Sequence, residues 1–244
     1  MRGLRVNTSV WPLIEERLNA GAHAVLPIGA ACKEHGRHLP MNTDQLQAEW
    51  ITERLMTELD VVVWPTVTYG YYPVFVEYPG SVSLSEPTFI GLVGDILDGI
   101  EHAGARYVVI LNTGISTIPP VRAALKQRAD PATYQLVNVY SGPRFTCEVE
   151  LHGEQQWGGH ADEIETSMML VVAGQAVDMS FARSAPLEIV RGRFNRVDPS
   201  QPNYSPDGVN GDPSLAKRWK GERLLDVMSD DVLAAMSGNA VISR

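Results

Sequence analysis

Apolar runs without polar interruption alternate along this chain with segments whose apolar positions recur every three or four residues. Ala22–Ile28 (AHAVLPI), Val61–Val67 (VVVWPTV), Tyr107–Leu111 (YVVIL) and Tyr134–Val139 are of the first kind. The first two read as buried strands, the third as the clearest strand in the chain and the fourth as a further strand. Trp11–Ala20, Gln45–Leu59, Thr88–Ala103 and Pro120–Arg128 carry the helical period. In the second of these Leu46, Trp50, Ile51 and Leu55 share one face, and Gly104 stands just past the end of the third. Ser9 is the candidate N-cap of the first helix, and Thr43 or Asp44 of the second. Two further helices are expected at Glu163–Ala173 and from about Ser214 to Met236.

Strand, loop and helix taken in turn predict an α/β fold with a largely parallel central sheet flanked by helices. No repeat or long linker divides the chain, so residues 1–244 read as a single layered domain. The charge balance changes the picture of partners. Twenty basic against 29 acidic residues give −9, a balance that argues against a nucleic-acid partner, which needs a positive face. Cys32 and Cys147 show no spacing of a disulfide framework or zinc knuckle. No apolar run approaches the roughly 20 residues of a membrane span, and the first residues lack a signal peptide's apolar core. A cytoplasmic protein with a small-molecule substrate and no membrane partner is the expectation.

In open α/β sheets, functional groups gather on loops leaving the carboxyl ends of strands. Three loops stand out: Cys32–Asp44 with His35 and His38, Asn112–Thr117 after the strongest strand, and His160–Ser167. An imidazole with carboxylates is what Zn²⁺, Mn²⁺ or Fe²⁺ requires, and His35, Asp44 and Glu163 offer such a trio. Spacing alone, with no compact H-x-x-x-H pattern, favours the plainer reading of a polar loop whose His and Asp satisfy turn backbone groups.

The same residues resemble the creatininase family of metal-dependent amidohydrolases. Gly29 through Asp44 (GAACKEHGRHLPMNTD) is similar to the family's G-(S/A)-x-E-x-H-G-x-H-L-P-x-x-T-D, with a one-residue difference before Lys33. His160–Ser167 (HADEIETS) resembles H-A-G-E-x-E-T-S, Tyr78–Ser81 resembles F-P-G-T, and Gly208–Pro213 resembles a late G-x-x-G-D-P. The resemblance implies a layered α/β fold, a homohexamer and two adjacent metal ions. The aspartate of T-D bridges the ions. One is held further by the glutamate of E-x-H and the histidine of an N-G-H-G-G-N loop, the other by the histidine of E-x-H and the glutamate of H-A-G-E. A metal-bound water attacks a C–N bond.

Here the departures sort by site. Lys33 stands at the E-x-H glutamate and Gly114 at the N-G-H histidine, so both private ligands of one ion are absent. Those of the other remain as His35, Asp44 and Glu163. The expectation is therefore one divalent ion (Zn, Mn or Fe) and no second. Lys33 then serves as an electrostatic stand-in beside Asp44 that stabilises developing negative charge, or as a reacting amine. His160 is the candidate general acid or base. His38 is expected to orient, Glu165 to anchor the helix start with Thr166, Glu34 to lie out of register, and Cys32 to be a small buried residue. Phe75 replaces a histidine common before F-P-G-T, giving an aromatic pocket surface. The leading reading is hydrolysis of an amide, lactam or related C–N bond in a small metabolite. Its rivals are a lysine-based biosynthetic reaction and a non-catalytic binding subunit.

Overall fold

A computed structural model describes residues 2–130, 133–185, 188–189 and 192–238 of the chain. Five strands, β1 (Leu4–Arg5), β2 (His23–Ile28), β3 (Val61–Val63), β4 (Val108–Asn112) and β5 (Tyr134–Asn138), form a parallel sheet in the order β1-β3-β2-β4-β5. The described helices are α1 (Trp11–Asn19), α2 (Thr43–Glu58), α3 (Glu86–His102), α4 (Ile118–Lys126), α5 (Pro143–His152), α6 (Glu163–Val172) and α7 (Arg218–Gly238).

Side chains alternate across a strand, and that alternation divides the helices into two layers. Ala24, Leu26 and Ile28 of β2 pack with Leu18 of α1, Phe89 and Val93 of α3, and Val121 of α4. Val25 and Val63 face the opposite way, onto Ile51 of α2, Phe145 of α5, Met168 of α6 and Leu225 of α7. Burying a side chain of this size contributes roughly 1.5–3 kcal/mol, and both faces of the sheet are covered, as the uninterrupted apolar runs required.

The boundaries differ from expectation where backbone chemistry intervenes. The Val61–Val67 run leaves the sheet after Val63, because Pro65 has no N–H for the ladder; Val67 returns as an isolated bridge to Ile28. Helix α2 begins at Thr43, so Asp44 lies in its first turn and caps nothing, where the positive end of the helix favours a carboxylate. Ser9 does not cap α1 either; the caps are Ser85 on α3 and Asp162 on α6. Helix α5 was not expected from the sequence, since Phe145 and Val149 are a thin apolar signal. Helix α7 starts at Arg218, after a tight turn at Pro213–Leu215.

Two placements matter for function. From β2 the chain first builds β3 on one side and later β4 on the other, so the sheet reverses its direction of growth at the β2/β4 pair. The loops leaving these two strands diverge into a crevice. Thr113 ties them together, its hydroxyl donating to the carbonyls of Ile28 (3.0 Å) and Asp44 (3.2 Å). On the far side, α6 lies against α7 so closely that a Cβ at Gly221 would collide with the Ser167 carbonyl.

Candidate metal centre

Lys33, His35 and Asp44 come from the β2–α2 connection; His160 and Glu165 come from the start of α6 and the loop before it. The two segments meet over the carboxyl ends of β2 and β4. His35 is fully buried; its Nδ1 lies 2.9 Å from the Lys33 carbonyl oxygen and its Nε2 lies 3.0 Å from Asp44 Oδ1 and 3.7 Å from Glu165 Oε1. The Lys33 ammonium approaches the other Asp44 oxygen at 2.7 Å, as an ion pair off the hydrogen-bond direction. Burial alone would raise the Asp44 carboxyl, but Lys33 and His35 hold it well below the usual carboxylate range.

His160 Nε2 lies 2.9 Å from the Glu34 carbonyl and 3.2 Å from the Glu34 carboxyl. A carbonyl accepts only, so Nε2 carries the hydrogen and Nδ1 is turned toward Glu165, 4.0 Å from its Oε2. Burial, then Lys33 and His35, depress this imidazole well below its ordinary value, so it is neutral near pH 7. Glu34, left in sequence as an out-of-register neighbour, is pushed up to about 8 by burial and backs the imidazole as a neutral acid. Ala161, next in chain, adopts a left-handed conformation (φ 50°) and donates its N–H to Glu165 Oε2 at 2.8 Å. A left-handed alanine costs about 1–2 kcal/mol, spent here on aiming Glu165.

Of the residues expected at the site, Lys33, His35, Asp44 and His160 are brought together; Glu163 is not. Its buried carboxylate pairs with Lys220 of α7 and accepts the backbone N–H groups of Glu154 (2.9 Å) and Gln155 (2.8 Å). Glu165 takes its place, because two residues along a helix turn a side chain about 200° around the axis. Asp162 caps the start of α6, accepting from Ile164 N and Glu165 N, and Glu165 anchors it as expected through the Ala161 N–H. His35, His160 and Glu165 offer ligand atoms within 4.8 Å of one another. His38 lies outside this group, its Nε2 2.8 Å from Thr166 Oγ1. Cys32 is half-buried and, like Cys147, a free thiol.

The Creatininase profile, described as creatinine amidohydrolase, matches residues 7–236. The chain belongs to the creatininase family. It is 27% identical to the creatinine amidohydrolase of Pseudomonas putida over 95% of both chains. It is 25% identical to the 3-dehydro-scyllo-inosose hydrolase of Thermotoga maritima, over 74% of this chain and 60% of that one. A manganese form of creatininase superposes with a TM-score of 0.78 at 24% identity, over 96% of this chain and 97% of the other.

Within this family the loop after β4 carries no ionisable group here. It folds on itself, Asn112 Nδ2 donating to Gly114 O (2.6 Å) and Thr117 Oγ1 to Asn112 Oδ1 (2.6 Å). A Cβ at Gly114 would lie 2.7 Å from Thr117 Oγ1 and 3.6 Å from the Tyr72 ring, so Tyr72 fills the space beside the position of the family's histidine. Lys33 lies over the Phe75 ring at 5.1 Å. His35 Nδ1 donates to the Lys33 carbonyl, so Nε2 is the ring atom turned to Asp44 Oδ1 and, farther off, to Glu165 Oε1. An imidazole nitrogen among carboxylate oxygens is a donor set that a dication would suit, and a second ring proton shared with Asp44 satisfies the same contact when no ion is held.

Proposed function

We propose that this creatininase-family member hydrolyses an amide, lactam or related C–N bond of a small molecule with one divalent metal ion. The observation that carries the reading is His35: its Nε2 lies 3.0 Å from Asp44 Oδ1 and 3.7 Å from Glu165 Oε1, while Lys33 pairs with the remaining Asp44 oxygen. His35, Asp44 and Glu165 would hold the ion, with Zn²⁺ and Mn²⁺ suiting this imidazole and carboxylate set. Such an ion supplies Lewis-acid polarisation and a lowered water pKa.

The chain's own groups supply the rest. His160, held with its hydrogen on Nε2 by Glu34, presents Nδ1 to take a proton from water as its oxygen bonds to the carbonyl carbon. The same proton passes to the nitrogen as the C–N bond breaks. Lys33 keeps Asp44 ionised and stabilises charge developing on the carbonyl oxygen. Its ammonium is ion-paired, which removes the lone pair that an amine nucleophile needs, so hydrolysis is favoured over lysine chemistry.

The setting follows the same reading. Two free thiols suit a reducing cytoplasm. A homohexamer is carried over from the family resemblance; Val10 and Trp11, 69% and 73% exposed, offer apolar surface for it. The deciding experiment is metal content per chain after purification without chelator. About one ion, lost in His35→Ala and Glu165→Ala, supports the proposal. Two ions, or none after reconstitution, overturn it.

A further inference from the structure

We propose that the substrate is a neutral amide or lactam carrying an apolar, ring-sized group, and that α5 and the 112–117 loop select that group. This rests on the reading of the site as an amide-cleaving centre and adds the substrate class to it.

The cavity over Lys33 and His160 has a volume of about 730 Å³, within the range that encloses drug-sized ligands. Phe75 and Phe194 flank the His160 ring with centroids at 4.3 and 5.7 Å and meet each other at 5.3 Å. The same cavity is lined by Phe145 and Val149, one turn apart on α5, and by Ile164 and the exposed Ile115. An amide with polar substituents leaves this strip in contact with water, whereas a benzyl or branched alkyl group covers it.

Charge excludes the other half of the possibilities. Among the described residues lining the cavity, Lys33 is set against Asp44, Glu150, Asp162 and Glu165, and Lys33 is already paired with Asp44. Glu150 follows Val149 on α5 and lines the cavity, away from the ligands proposed for the ion, so a carboxylate or phosphate on a substrate arm beside it meets like charge. A neutral arm meets none.

The test is calorimetric titration of the metal-replete full chain with N-benzylformamide, formamide and N-formylglycine. N-benzylformamide is expected to bind at least about ten-fold more tightly than either of the others, the scale on which apolar pockets discriminate by size. Ile115→Asp, at a side chain 66% exposed and therefore tolerant of charge, and the isosteric Val149→Thr are each expected to weaken N-benzylformamide and leave formamide unchanged. Equal or tighter binding of N-formylglycine, or N-benzylformamide affinity indifferent to both substitutions, overturns the proposal. Binding is read without turnover and metal content is assayed on the same samples, so failure of the one-metal hydrolase reading is seen separately.

Discussion

The Lys33 ammonium lies 2.7 Å from Asp44 Oδ2 with both side chains buried, while Asp44 Oδ1 stays turned to His35. One carboxylate is thereby shared between a fixed protein cation and a site fit for a metal. Removing the ammonium strands a buried charge, a loss of about 3–5 kcal/mol. Lys33→Met is expected to melt well below the native chain in chelator, and to recover more than the native chain when zinc is added, since binding then offsets a larger deficit. Equal melting temperatures with and without zinc in both proteins would refute the stand-in role.

Glu163 and Glu165 separate by experiment. Glu163→Gln breaks the pairing with buried Lys220 and is expected to cost about 3–5 kcal/mol in denaturant melts while leaving metal content intact. Glu165→Gln is expected to lose the ion with a smaller stability change. Metal content that follows Glu163 would reverse the ligand assignment.

Gly114 has no room for a side chain against Thr117 and Tyr72. Gly114→Ala is expected to destabilise by about 1–3 kcal/mol, the cost of overpacking, and Gly114→His to leave the chain at no more than the native metal content. A second ion bound by Gly114→His alone would show that Tyr72 yields and that the lost half-site is latent.

Burial, followed by the charges of His160 and His35, lowers His38 to about 4 from 6.5. Between those pH values the unfolded chain takes up a proton that the folded chain refuses, so stability is present above 6.5 and is lost as pH falls toward 4. His38→Gln is expected to flatten the melting temperature across that window relative to the native chain. An unchanged slope would mean that His38 is charged in the fold.

The inner strands β3, β2 and β4 were legible because they are buried on both faces: runs such as YVVIL leave little else to be. The meeting of His35 and Asp44 was legible, since they lie on one connection nine residues apart. Where Glu163 would point was not legible, because choosing between two glutamates on one helix turn requires knowing which face of α6 meets α7. Lys220, the cation that decides it, sits 57 residues downstream in a helix that looks ordinary. Helix α5 escaped for a related reason: the face it shows the sheet layer is little more than Phe145, while Val149 turns partly to the cavity.

Gly221 and Lys220 adjoin on α7 and bear on the same stretch of α6, one backing onto Ser167 and the other holding Glu163. The face of α6 that meets the His35 and Asp44 connection is therefore fixed in part by contacts with the last described helix of the chain, more than 170 residues away from that connection.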